Sequence, residues 1–199
     1  MDERTHILVS LSALASKPEH NERLRQALHA ARASGYVKRE EVYECLLQLH
    51  LFAGFPAALE AMRALRKAWP EVETDKTEAR ESVTYPQFVE RGKKLFEQVY
   101  GANAGRVRDE IRDLSIELGA WTMTDGYSKT LSRPGLDAVT RELAVVASLT
   151  QLGWERQLHS HILGARNLGA AKDVIEEAIE IGAMGDEKKL ERAMRIAKK

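Results

Sequence analysis

Residues Leu158–Gly169 read LHSHILGARNLG, and residues Leu24–Gly35 read LRQALHAARASG. Set side by side without a gap, they share leucine at the start, arginine towards the end and a closing glycine. An apolar stretch containing small residues precedes each (Ile7 to Ala15; Leu143 to Leu152), and an amphipathic one follows (Glu40 to Ala53; Lys172 to Ala183). Val42, Cys45, Leu46, Leu49 and Ala53 recur at the spacing of one helix face. Val107, Ile111, Leu114 and Leu118 do the same, as do Val174, Ile175, Ala178 and Gly182. Glycine and proline sit at the ends of these runs, and alternation of period two is nowhere convincing. The pattern predicts an all-α chain of roughly eight to ten helices. Within it, a helical unit of about 60 residues is expected to occur twice, each copy covering the other's apolar face.

Composition sets the outer limits. The 199 residues carry 30 Lys+Arg against 30 Asp+Glu, a formal net charge of zero, which speaks against a nucleic-acid binder. Hydrophobic residues at 44% and charged residues at 30% belong to a folded globular chain. One cysteine, Cys45, leaves no partner for an intrachain disulfide, a Cys-x-x-Cys pair or a multi-cysteine metal site, and a reducing cytoplasm is the expectation. The N-terminus lacks a basic region followed by a long apolar core, and no apolar run reaches the ~18 residues a bilayer span needs. The stretch from Pro70 to Pro86, PEVETDKTEARESVTYP, is almost without apolar residues and mainly acidic, and reads as a solvated linker. The expected organisation is a first unit over 1–69, a linker over 70–86, and a helical arm plus second unit over 87–199.

Two stretches resemble the carboxymuconolactone decarboxylase family, part of the all-helical superfamily that also contains alkylhydroperoxidase D. Ser132 to Ala170, SRPGLDAVTRELAVVASLTQLGWERQLHSHILGARNLGA, is similar to the first half of the decarboxylase core. Arg39 to Met62, REEVYECLLQLHLFAGFPAALEAM, is similar to the second half. Phe88 to Lys129 resembles the helical arm that precedes the core. The good matches are divided between the copies. Ala27 stands in the first unit where the family places a histidine, which the second unit keeps as His161. The second unit's tail, Ile181 to Asp186, lacks the Gln and Gly-x-Pro-Ala-Ala that the first unit keeps around Gln48 and Gly54 to Ala58. The resemblance implies one composite pocket, with His161 from one unit and the Gln48 to Ala58 segment from the other.

Glu142 and His161 fall on consecutive helices either side of Gly153, where antiparallel packing brings a carboxylate and an imidazole within reach. The same positions also suit a carboxylate at a helix N-terminus and a satisfied buried histidine. The resemblance implies cofactor-independent decarboxylation of a small carboxylated lactone or related ring, with His161 as proton donor and Glu142 orienting it. Arg141 and Arg133 are the expected holders of substrate carboxylate, with Gln48 on the same pocket. Arg166 recurs as Arg32, which favours a structural role for it. The family commonly has arginine two residues after the histidine, and this chain has Leu163. His159 cannot share the helix face of His161, so no metal site is expected from the two. The lone Cys45 rules out the dithiol peroxidase chemistry of the wider superfamily. A trimer of duplicated chains, pseudo-sixfold in its units, is the oligomer the resemblance implies. A catalytically degenerate helical scaffold is the alternative.

Overall fold

The computed structural model describes residues 1–70 and 84–198. The expected linker, 70–86, therefore lies outside the described residues apart from its ends. Every regular element among the described residues is helical, which makes this an all-α fold. The first half supplies α1 (Glu3–Ala15), α2 (Asn21–Ser34), α3 (Arg39–Leu47), α4 (Leu49–Phe52) and α5 (Gly54–Ala68). An arm follows: α6 (Tyr85–Tyr100), α7 (Ala104–Leu114), α8 (Ile116–Trp121) and a wide-turned π segment over Thr122–Leu131. The second half supplies α9 (Ala138–Leu152), α10 (Glu155–Asn167), α11 (Lys172–Ala183) and α12 (Glu187–Ala197).

Local chemistry sets the helix ends. Asp2 caps α1 by accepting from Thr5 N at 2.8 Å, and Asp186 caps α12 by accepting from Lys189 N at 3.0 Å. Gly153 ends α9 at φ +80°, a left-handed turn that glycine adopts without steric cost. Asp137 caps α9 through Thr140 N at 2.8 Å, while Arg4 of α1 donates to its other oxygen at 3.2 Å. Partial burial opposes the charged form of Asp137, but the Thr140 and Arg4 hydrogen bonds outweigh it and hold the carboxyl below its usual value. Asp137→Ala is expected to lower stability by ~1 kcal/mol. Because the folded-state value is depressed, that difference is full above about pH 4 and shrinks as the pH falls further. Urea melts of both proteins at pH 7 and pH 3 check it.

The expected single helix over 40–53 is divided at Gln48. Its backbone tightens there, Leu51 N bonding to Gln48 O at 3.1 Å in an i→i+3 step, while the carboxamide donates to the Arg141 carbonyl at 3.3 Å. Pro56 stands third in α5, in the turn whose N–H groups have no intrahelical acceptor.

α9 is the axis of the molecule. Every residue from Thr140 to Gln151 is buried, so this helix is enclosed on all sides. α1 runs parallel to it, with Ser12 Oγ donating to Ala144 O at 2.8 Å and Ser16 Oγ meeting Ser148 Oγ at 2.7 Å one turn later. Leu8, Leu11 and Leu14 of α1 join a core built with α2, α3 and α5, while Val9 and Ala13 join the core of α9 to α12. A third cluster, Leu95, Phe96, Val99, Tyr127 and Leu131, fastens α6 to the π segment. Arg32 of α2 donates to the Ala68 carbonyl at the end of α5, at 3.2 Å. Arg166 of α10 donates to the Ala197 carbonyl at the end of α12, the same link in the other half. No helix among the described residues is long and apolar enough to cross a membrane.

Candidate functional site

The Gly153 turn folds α10 back along α9 and brings two buried side chains together. His161 Nδ1 lies 2.8 Å from Glu142 Oε2, with 7% of the histidine and 3% of the glutamate exposed. A carboxylate only accepts, so Nδ1 carries the shared proton and Nε2 is the nitrogen left to act. The close approach depends on Gly164, because a Cβ there would stand 2.9 Å from Glu142 Oε2 and 2.8 Å from Val99 Cγ1. Phe52 of α4 sets its ring edge-on to the imidazole, centroids 5.1 Å apart, so the first half also touches the site.

Two tyrosines adjoin this pair, and one of them, Tyr100, also lines the cleft at His161. The Tyr127 hydroxyl is fully buried beside Tyr100 and Glu142 without a hydrogen bond of ordinary geometry. Burial pushes its phenol well above the usual value, and the Tyr100 and Glu142 oxygens add to the rise. Tyr100 is raised too, first by burial, so both remain protonated donors around neutral pH. Removing a buried hydroxyl that has no partner costs little, so Tyr127→Phe is expected to change stability by less than ~1 kcal/mol. A thermal melt tests this, and a larger loss means that the hydroxyl is bonded in solution.

His161 opens onto a cleft of about 460 Å³ between α10, the end of α6 and α7. Val107, Ile111, Leu114 and Leu163 give it apolar walls. At the mouth, Glu110 of α7 stands 3.9 Å from Arg106 and 3.8 Å from Arg156 of α10. His159 also lines the cleft.

The arginines expected to hold substrate are placed elsewhere. Arg141 is 2% exposed and gives its Nη2 to Glu44 Oε2 at 2.8 Å, with further bonds to the carbonyls of Arg133 and Leu136 at 3.0 and 3.3 Å. Arg133 forks onto the same carboxylate at 2.8–3.1 Å. Gln48 accepts from Arg141 Nη1 at 3.5 Å. Arg141, Arg133 and Gln48 thus converge on Glu44, and none of them lines the cleft at His161. Arg166, whose recurrence suggested a structural role, bonds a backbone carbonyl. Cys45 is buried, donates to Leu8 O at 3.3 Å, and has its thiol pushed up to about 12 by burial, far from the thiolate that redox chemistry needs. Among the described residues, no group of three or more His, Cys, Asp or Glu side chains is placed to hold a metal.

The sequence offered no sign of Glu44, which sits among apolar helical neighbours, or of Arg106 and Arg156. The two tyrosines carry a faint signal, as aromatic residues within the arm, but only folding brings the arm against α10.

Residues 118–199 match the sequence model of the Carboxymuconolactone decarboxylase family. The chain is 28% identical over 139 residues to peroxisomal protein 2 of Schizosaccharomyces pombe, covering 69% of this chain and 65% of that protein. It is 29% identical over 94 residues to a 4-carboxymuconolactone decarboxylase of Acinetobacter baylyi, covering 47% of this chain and 70% of the relative. The match thus spans just under two thirds of the yeast protein's length.

Proposed function

We propose that the chain, whose residues 118–199 match the carboxymuconolactone decarboxylase family, is a member of it and a cofactor-independent acid–base enzyme of the lyase type. Its substrate on this reading is a small carboxylated lactone or related ring. The observation that carries the reading is the buried 2.8 Å pair of His161 and Glu142 at the floor of an open cleft. Loss of carboxylate as CO2 breaks a C–C bond and leaves its electron pair delocalised towards the ring carbonyl. The imidazolium of His161 then delivers its Nε2 proton to carbon and returns to the neutral ring, and water restores that proton. Glu142 holds Nδ1–H, fixes the ring's orientation and stabilises the imidazolium, as a buried carboxylate does behind a catalytic histidine.

Within this proposal the two halves are copies of one unit. The parallel α1–α9 pair and the matched Arg32–Ala68 and Arg166–Ala197 links support it. The contact of Phe52 in one copy with His161 in the other supports a composite pocket, although no residue from Gln48 to Ala58 lines the cleft. A reducing cytoplasm suits the buried thiol of Cys45.

His161→Ala is expected to slow turnover of 4-carboxymuconolactone by about a hundredfold or more while leaving the fold intact. Loss of the lactone, followed by chromatography, is the measurement. Equal rates in the two proteins, or no turnover across a panel of lactone acids, overturns the enzyme reading. A second reading, a helical scaffold that assembles without chemistry, has its own observation. Leu114, Ile116, Leu118 and Trp121 form a large exposed apolar strip on α7 and α8, the kind of surface that self-association covers. In either reading we propose a homotrimer, six units around a ring.

A further inference from the structure

With Arg141 and Arg133 committed to Glu44, any anion entering the cleft must be held by other groups, and the mouth supplies them. Arg106 on α7 and Arg156 on α10 face each other across Glu110. Two guanidiniums against one carboxylate leave one positive charge in excess at that rim. Both contacts are near 4 Å and both arginine side chains are more than two-thirds exposed, so an incoming carboxylate can take a fork without breaking a buried network. The same cleft is lined by apolar Val107, Ile111, Leu114 and Leu163 alongside the buried His161. Leu163 stands where an arginine was expected, so the floor beside the histidine gains no second cation from that position.

We infer that the cleft takes an elongated carboxylic acid. Its carboxylate is anchored at the mouth by Arg106 and Arg156, and an apolar spacer separates that anchor from the carbon that His161 addresses. The inference rests on the acid–base reading above for the placing of the reacting carbon. Arg156 and His161 are separated by ~7.5 Å along α10, at 1.5 Å rise per residue. A phenyl ring or a short alkyl chain fills that interval, and the anchoring carboxylate is the one that the reaction retains. This departs from a compact acid with all its charges gathered at the histidine.

Calorimetric titration of the full chain with straight-chain probes tests it. Octanoate is expected to bind about tenfold more tightly than octanol, and affinity should rise about fourfold per methylene from hexanoate to octanoate. The double variant R106Q/R156Q is expected to bring octanoate down to the level of octanol and leave octanol unchanged, which also shows that the cleft is intact. His161→Asn should retain the preference for acid over alcohol. The inference fails if acid and alcohol bind alike, if the preference survives R106Q/R156Q, or if acetate competes as well as octanoate. It also fails if neither probe binds because a second copy fills the cleft, which sedimentation would reveal. Binding without turnover retires the enzyme reading and keeps the cleft assignment. His161-dependent turnover without octanoate binding does the reverse.

Discussion

Glu44→Ala is expected to lower the unfolding free energy by about 3–5 kcal/mol, the cost of leaving a buried charge without its partner. Arg141 is among the largest fully buried side chains, and Glu44 is the carboxylate it meets among the described residues. Its remaining acceptors are carbonyl oxygens and the Gln48 amide, which solvate a guanidinium but do not neutralise it. For a chain of this length the loss corresponds to a drop in melting temperature of roughly 10 °C. Urea unfolding should show a lower midpoint with an unchanged slope, the mark of lost stability rather than an altered unfolded state. A loss under ~1 kcal/mol would mean that water reaches Arg141 in solution. Adding Arg141→Met to Glu44→Leu should recover much of the deficit, since a packed apolar pair replaces the buried ions. The variant matters for the site as well, because Glu44 positions the residue immediately before Glu142.

Gly182→Val is the second large effect, about 3 kcal/mol or more. A Cβ at this position would lie 2.4 Å from Ala147 O and 2.8 Å from both Ala147 Cα and Thr150 Cβ. Backbone atoms and a branch carbon cannot swing aside, and α9 has no solvent-facing side towards which to retreat. The α9–α11 contact must therefore open. Gly105→Ala is the contrast, because nothing lies within 4 Å of its added Cβ, and better helix propensity should raise stability by up to ~1 kcal/mol. Paired thermal melts of the two variants separate close packing from propensity. Similar behaviour in both would show that α9 and α11 are not in contact as described.

The helical class and most helix positions were legible because amphipathic spacing and capping residues act locally. The apolar stretch Leu143 to Leu152 and the Gly153 boundary announced α9 without any tertiary information. The Glu142–His161 pair was legible too, since a short turn between two helices leaves few ways for them to pack. Arg141 was a different matter. The family resemblance and its guanidinium suggested an anion holder, and its partner, Glu44, lies 97 positions away on α3. Charge type alone does not say which carboxylate an arginine will meet. The break at Gln48 had the same origin, a long-range bond to the Arg141 carbonyl. The cleft itself was hidden because its wall, α7, has no buried residue and declares itself only once the arm is laid against α10.

The pairing of α1 with α9 has a kinetic consequence. Ser12 and Ser16 find their partners at Ala144 and Ser148, 132 positions further on, so α1 is synthesised well before the helix it packs against. Until then Val9 and Ala13 have no nucleus to join, and the nascent first half exposes a sticky face suited to chaperone capture. Such long-range contacts at the centre of an otherwise local helical topology are expected to form late in folding.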